Sequence, residues 1–103
     1  MKIDHFAMEV SDLEASIGFY TALGFKEQVR FTDENEHESL AILGMDGGKL
    51  ELIQALSERN EPQPFEPPLV RPHFCPHLAL CADDLEATRA ELARRGITIV
   101  HGP

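Results

Sequence analysis

The sequence lacks any long apolar run. A helix that crosses a bilayer needs about 20 predominantly apolar residues, and no segment of the 103 residues approaches that length. The opening residues, MKIDHF, also lack the apolar stretch of a secretion signal. We therefore expect a cytoplasmic protein with no membrane partner.

Basic residues are scarce as well. Nine Lys and Arg residues stand against eighteen Asp and Glu residues, which gives a formal net charge of -9. A nucleic-acid surface needs clustered positive charge, and here the basic residues are scattered, so no nucleic-acid partner is expected. The acidity suits a cation-binding protein, although many proteins are acidic for solubility alone.

Cysteine is limited to Cys75 and Cys81, with no CxxC pair. The two lie six residues apart on what reads as one strand, where an even spacing points both side chains to the same face. A disulfide between them is therefore geometrically disfavoured. We expect small buried or half-buried side chains rather than a zinc site or a redox pair.

A hydrophobic content of 43% is enough for one domain, or for two very small modules. Ser11 and Glu14 form a capping-box pattern at the start of a helix, and Gly24 marks its end. Asp46-Gly47-Gly48 predicts a tight hairpin turn. Periodicity then predicts a βαβββ module over residues 1–56, with strands over 3–10, 25–31, 40–43 and 49–55 and a helix over 13–24.

A proline-rich segment follows. Six of the seven prolines fall between Ser57 and Pro76, which excludes a helix or a central strand. We interpret residues 57–76 as a semi-rigid linker.

After the linker, the first pattern returns 72 residues later, and we interpret residues 77–103 as the start of a second βαβββ module. Asp12-Leu13-Glu14-Ala15 is matched by Asp84-Leu85-Glu86-Ala87, and the capping Ser11 by Asp83. A second strand is predicted from His77 to Ala82, and a further strand near residues 97–100. Three residue pairs keep the same register: His5 with His77, Leu13 with Leu85, and Gly24 with Gly96.

Three metal-binding side chains are predicted on the helix-free face of the sheet. In the strand pattern, His5 alternates with apolar core positions, His77 repeats it, and Glu51 alternates with Leu50 and Leu52. A single strand histidine is usually structural. Two at equivalent positions, with a carboxylate on an otherwise apolar strand, favour a metal site.

Three segments carry a family resemblance: HFAMEVSDLEASIGFYTALGF, KLELIQ and PHLALCADDLEATRAELARRGI. They resemble the vicinal oxygen chelate superfamily, which includes lactoylglutathione lyases (glyoxalase I), methylmalonyl-CoA epimerases, extradiol dioxygenases and bleomycin-resistance proteins. The resemblance implies an α+β fold in which paired βαβββ modules form a cupped mixed sheet, with the helices outside.

The resemblance also implies metal ligands at His5, Glu51 and His77, around a divalent Ni, Zn, Mn, Co or Fe ion. A fourth ligand would fall 72 residues after Glu51, beyond Pro103, so the second module is truncated here. Either the chain is part of a longer protein, which we favour, or another subunit completes it. In both cases we expect association, as a homodimer.

The function we favour from this resemblance is a glyoxalase I-like lyase or isomerase acting on a small carbonyl or thiol-adduct substrate, with an epimerase as its nearest neighbour. Glu51 is the candidate catalytic residue, although a ligand role would leave the base to the missing second-module glutamate. Arg30 is a candidate for contacting an anionic substrate end, unless it balances Glu27 or Glu38.

Two alternatives stay open. Two histidines and a carboxylate also form the Fe(II) site of an extradiol-type dioxygenase. A metal-free binding protein of the bleomycin-resistance kind would need no such ligand set, so the presence of all three side chains argues against it.

Overall fold

The computed structural model describes residues 1–63 and 77–100. They belong to two compact units, Met1–Pro67 and Pro68–Pro103. Most of the predicted linker lies outside the described residues. The predicted module boundaries, 1–56, 57–76 and 77–103, stay a prediction.

The first unit has the predicted βαβββ order. Apolar residues alternate with polar residues along the four strands. Helical spacing replaces this alternation once, so a single helix lies between the first and second strands. The elements are β1 (Phe6–Glu9), α1 (Leu13–Ala22), β2 (Lys26–Asp33), β3 (Glu38–Met45) and β4 (Gly48–Ala55).

The four strands form one mixed sheet in the order β1-β4-β3-β2. The hairpins make β2, β3 and β4 antiparallel neighbours, whereas β1 pairs in parallel with β4. The parallel pairing brings the start of the chain beside the last strand, with Ala7 opposite Glu51. The site residues of the first unit meet along this β1–β4 pair.

The core lies between α1 and one face of the sheet. Along β4, Leu50 and Leu52 are 1% and 0% exposed, while Glu51 between them is only partly covered. From α1, Leu13 and Ile17 are buried. This alternation confirms the predicted core face of β4 and leaves Glu51 on the helix-free face.

The start of α1 differs from the capping-box prediction. Asp12, not Ser11, is the N-cap: its backbone is extended, and Asp12 Oδ1 accepts a hydrogen bond from Ala15 N at 3.1 Å. Buried Gln54 on β4 adds a second contact, accepting from Leu13 N at 2.9 Å and donating to the Ser11 carbonyl at 2.8 Å. The prediction at Ser11 was wrong because the helix begins one residue later.

The turn between β3 and β4 is the predicted tight hairpin. Asp46 has φ 49° and Gly47 has φ 79°, and two successive positive φ values define the turn type that suits the right-handed twist of paired strands. The turn fixes the register of β4, and with it the face on which Glu51 lies.

The second unit contains α2 (Leu85–Arg94). Within the described part of this unit, residues 77–82 and 97–100 form no strand, so the two strands predicted there are absent from it. Cys81 is free and exposed, contrary to the expected half-buried side chain, since no strand forms around it. Cys75 lies outside the described residues.

The 72-residue repeat holds at the level of single hydrogen bonds. Asp84 caps α2 through Ala87 N at 3.0 Å, as Asp12 caps α1, so the predicted cap at Asp83 was also one residue early. Both helices have ten residues. Gly24 and Gly96 follow them with φ 113° and 75° and donate to carbonyls three residues back.

Candidate metal-binding site

His5 and Glu51 meet at the β1–β4 pair. His5 lies one residue before β1, and its Nε2 is 3.7 Å from Glu51 Oε2. Glu51 projects from the face opposite the buried Leu50 and Leu52. An imidazole nitrogen and a carboxylate oxygen therefore face each other on the helix-free side of the first unit.

The His5–Glu51 pair is open to solvent on one side. The His5 side chain is 41% exposed and the Glu51 side chain 20%. A third partner, whether a metal ion or a ligand, can reach both groups without any rearrangement of the core.

Asp4 holds the other nitrogen of His5. Asp4 Oδ2 lies 2.8 Å from His5 Nδ1, and Asp4 Oδ1 lies 3.5 Å from Lys49 Nζ. The hydrogen bond to His5, and then the positive charge of Lys49, hold the pKa of the exposed Asp4 carboxyl below its usual value. A carboxylate on Nδ1 favours the tautomer with the proton there, which leaves the Nε2 lone pair available to a cation that Glu51 also binds.

The contact of Asp4 with His5 could not be predicted from strand alternation, because residues 1–5 precede β1. In a strand, neighbouring side chains point to opposite faces, so alternation separates Asp4 from His5. Because the chain is not yet a strand there, the two neighbours contact each other. Lys49, two residues from Glu51, was missed because it sits at the rim of the hairpin turn.

The structure places His77 in the second unit, where it is exposed. No group of three or more His, Cys, Asp or Glu side chains that could hold a metal ion is found within residues 1–63 and 77–100. Of the three expected ligands, the structure thus brings His5 and Glu51 together.

Arg30 lies away from this pair. It is opposite Ala41 on β3, and Ala41 is opposite the buried Leu52, so Arg30 projects from the helix side of the sheet. There it contacts Glu27, at 2.6 Å from Nε, and Glu14 of α1. The hydrogen bond from Arg30 holds the pKa of the Glu27 carboxyl below its usual value.

This placement favours the ion-pair interpretation of Arg30 over contact with a substrate at His5 and Glu51. Of the two carboxylates predicted to balance Arg30, Glu27 and Glu38, Glu27 is the one that it contacts. The face of Arg30 could not be predicted, because a β-bulge between Glu27 and Val29 shifts the register of β2. Arg30 is therefore not part of the proposed site.

None of the helices in the described ranges has the length and apolar character needed to cross a membrane.

Proteins of known sequence or structure are similar to this chain. The Bacillus subtilis (strain 168) protein "Uncharacterized protein YwbC" is 38% identical over a match that covers 87% of this chain and 69% of that protein. The crystal structure of SMU.1112c superposes with a TM-score of 0.76 at 25% identity, covering 93% of this chain and 75% of that one.

A glyoxalase family protein from Enterococcus faecalis shares the fold, with a TM-score of 0.72 at 24% identity over 92% of this chain and 72% of that one. The family model described as Glyoxalase/Bleomycin resistance protein/Dioxygenase superfamily matches residues 2–103. The resemblance seen in the sequence is thereby confirmed, and with it an α+β fold, in which α1 of the first unit packs on one face of a mixed sheet. The chain belongs to the Glyoxalase/Bleomycin resistance protein/Dioxygenase superfamily.

Proposed function

We propose that this protein is a metal-dependent lyase or isomerase of the glyoxalase I type, acting on a small carbonyl or thiol-adduct substrate. His5 and Glu51 hold a divalent metal ion in this proposal, and His77 contributes from the second repeat. The observation that carries it is the approach of His5 Nε2 to within 3.7 Å of Glu51 Oε2 on the helix-free face.

The donor set fits such an ion. Metal bonds to imidazole nitrogen and carboxylate oxygen are about 2.0–2.2 Å long, so two ligands of one ion lie about 3–3.5 Å apart. The separation of 3.7 Å needs only a small side-chain adjustment. Asp4 on His5 Nδ1 is the outer carboxylate that metal-binding histidines commonly carry, and it fixes the ring orientation.

His77 enters the proposal through the repeat. It lies 72 residues after His5, and the helices that follow the two histidines share the aspartate N-cap bond and the hydrogen bond of the glycine that follows each helix. Two of the proposed ligands, His5 and Glu51, lie in the first unit. The third therefore depends on how two units associate, within one chain or between two.

A homodimer is part of the proposal. In the second unit, Leu85 is 55% exposed although its equivalent in the first unit, Leu13, is 6% exposed. Leu80 and Val100 are exposed as well, and apolar side chains in this number favour association. Sedimentation equilibrium should give twice the 11.5 kDa chain mass, and a monomer at micromolar concentration would contradict this part.

A bound divalent ion would act as a Lewis acid on adjacent substrate oxygens and make a neighbouring C–H bond easier to deprotonate. His5 positions the site, and Asp4 keeps the His5 ring oriented. Glu51, the carboxylate on the same face, is the candidate for accepting the proton as well as for holding the ion. The metal identity is left to experiment among Ni, Zn, Mn, Co and Fe.

A metal-free binding protein is the second candidate function. It is favoured by the finding that residues 1–63 and 77–100 assemble no cluster of three metal-binding side chains. In that case the helix-free face would hold a small molecule, and Glu51 would act as a hydrogen-bond acceptor.

An activity assay separates the two functions. Chelator-treated protein, reloaded with each of the five ions in turn, is tested for isomerisation of a hemithioacetal. We expect turnover with at least one ion, a loss of at least about 100-fold in Glu51→Gln, and no loss in Glu9→Gln. Glu9 lies on the neighbouring strand and is exposed, so it controls for the change of charge. Turnover that is equal in the two variants would overturn the role of Glu51.

A further inference from the structure

A surface cleft of about 350 Å³ lies at the hairpin end of the first unit, where β2, β3 and β4 meet the turn. Its charged and amide side chains are Lys26, Gln28, Asp46 and Lys49. Two of the three lysines of this acidic chain thus line one concavity.

The sheet register explains why the two lysines come together. Lys26 is opposite Gly44, and Gly44 is opposite Lys49. Residues opposite one another in neighbouring strands point to the same face. The two lysine side chains therefore flank Gly44, which has none, and the gap above Gly44 is the cleft.

Gln28 supplies an amide group inside this gap. A Cβ atom on Gly44 would lie 2.1 Å from Gln28 Nε2, so the amide occupies the space that any other residue at position 44 would fill. The β-bulge between Glu27 and Val29 falls at Gln28, and bulges re-aim side chains in this way. The cleft then offers two ammonium groups and one amide N–H as donors.

Lys26 is the basic residue that makes the cleft available to a ligand. The arginines of α2 and Arg30 pair with carboxylates on their own unit, whereas within the described residues no carboxylate forms an ion pair with Lys26. Lys49 shares its ammonium with Asp4 at 3.5 Å, and an ammonium has three donors to give. Asp46 at the rim and Asp4 beside Lys49 oppose an anion, so anion binding depends on the Lys26 ammonium and on the donors that Lys49 and Gln28 have left.

The cleft adjoins the proposed metal site. Lys49 and Glu51 are two residues apart on β4 and so share the helix-free face, about 7 Å apart along the strand. One short molecule can reach both. A group bound between the two ammonium groups, beside the Gln28 amide, would have its next few atoms within reach of Glu51.

We propose that the cleft between Lys26 and Lys49 binds the anionic end of the substrate, a carboxylate or a phosphate. The substrate class is then a small carbonyl compound with one anionic terminus. The inference rests on the proposed function for what lies at the other end of the molecule, but anion binding itself needs no metal.

The test is a titration of metal-free, isotope-labelled full chain with orthophosphate and, separately, with acetate, in the presence of chelator and at constant ionic strength. Backbone amide shifts of Gly44, Gly47 and Gly48 and the side-chain amide of Gln28 report on the cleft. We expect saturable shifts confined to these groups with at least one anion, and the anion that saturates at the lower concentration identifies the terminus.

Lys26→Met is the test variant because Lys26 does not contact Asp4 or His5. Lys2→Met removes the same charge at an exposed site near the chain start and is the matched control. We expect the apparent Kd to rise about threefold or more in Lys26→Met, the scale of one exposed ion pair, and to stay unchanged in Lys2→Met.

Shifts that never saturate with either anion, or that weaken equally in the two variants, would overturn the proposal. The metal content of Lys26→Met is measured alongside. Anion binding without metal binding would contradict the proposed function and support the anion site. Metal binding without anion binding would contradict the anion site and leave the proposed function standing.

Discussion

At the scale of single residues, Gln54 is the buried polar side chain on which the start of α1 depends. Its amide accepts from Leu13 N and donates to the Ser11 carbonyl, so it satisfies one of the free N–H groups at the helix N-terminus. The residue joins the last strand of the sheet to the helix that covers it. Its role is structural, and it lies on the face away from Glu51.

We expect Gln54→Leu to lower the free energy of unfolding by roughly 1–3 kcal/mol, because an apolar side chain removes both hydrogen bonds that Gln54 makes and leaves the buried Leu13 N–H without its acceptor. Urea unfolding measures the loss. Gln63→Leu, at an exposed position, is the control and should change stability little. Equal effects of the two substitutions would show that the Gln54 hydrogen bonds contribute nothing.

Asp4 has a different role, because it acts on the His5 ring rather than on the fold. We expect the neutral His5 ring of metal-free protein to carry its proton on Nδ1, since Asp4 Oδ2 accepts there at 2.8 Å. In Asp4→Ala, the population should move towards the Nε2-protonated form. Long-range nitrogen–proton NMR correlations report the two tautomers directly. Asp4→Glu, which keeps the carboxylate, should keep more of the Nδ1–H form than Asp4→Ala does.

An identical tautomer ratio in Asp4→Ala and the wild-type chain would contradict this role of Asp4. The fold should be unchanged in either case, because Asp4 is exposed and outside β1.

The sequence indicated that His5 and Glu51 lie on the same face of the sheet. It did not indicate the contacts that Asp4 and Gln54 make. Alternation along the strands gave the face of Glu51, and the repeat singled out His5. Asp4 and Gln54 act through contacts that depend on where β1 and α1 begin, and element ends are set by local hydrogen bonds that periodicity does not resolve.

At the scale of elements, the two helices show how far the repeat extends. Both start after an aspartate N-cap and end before a glycine with positive φ. Capping residues with side-chain oxygens satisfy N–H groups that the helix leaves free, and glycine adopts positive φ without steric cost. The capping box predicted at Ser11 was one residue early, because the N-cap is Asp12.

We expect Asp12→Ala to destabilise the protein by about 0.5–2 kcal/mol, because Ala15 N loses its side-chain acceptor. Asp12→Asn keeps an acceptor oxygen at the same position and should retain most of the stability. Thermal unfolding followed by circular dichroism compares the two variants. If Asp12→Asn were as destabilised as Asp12→Ala, charge at the helix start rather than capping would be responsible.

The strands of the first unit could be predicted because hairpins are local: the Asp46-Gly47 turn fixes β3 against β4. The parallel pairing of β1 with β4 spans most of the unit and follows from the family resemblance, not from any local signal. The strand predicted from His77 to Ala82 had the same alternating pattern as β1. Its absence from the described residues shows that an alternating pattern alone is not sufficient to form a strand.

At the scale of the whole molecule, the chain contains one described βαβββ unit and a second unit that repeats its helix. The first unit presents three kinds of group on its helix-free face: a histidine–glutamate pair, a carboxylate that orients the histidine, and a lysine-lined cleft beside them. In the proposed complex, the reacting C–H bond of a short substrate would lie beside the metal at His5 and Glu51. The anionic end of the same substrate would lie in the cleft.

The metal content of purified, untagged protein, before and after a chelator wash and reloading, shows whether the proposed site binds an ion. We expect about one divalent ion per completed site in the wild-type chain, retained in His37→Gln and Glu9→Gln, and lost in both His5→Ala and Glu51→Gln, because these two residues supply facing ligands. His37 is a suitable control because its ring is held by Asn60, at 2.7 Å, away from the pair. Metal retained by both His5→Ala and Glu51→Gln, or no metal bound by the wild-type chain under any loading condition, would contradict the account.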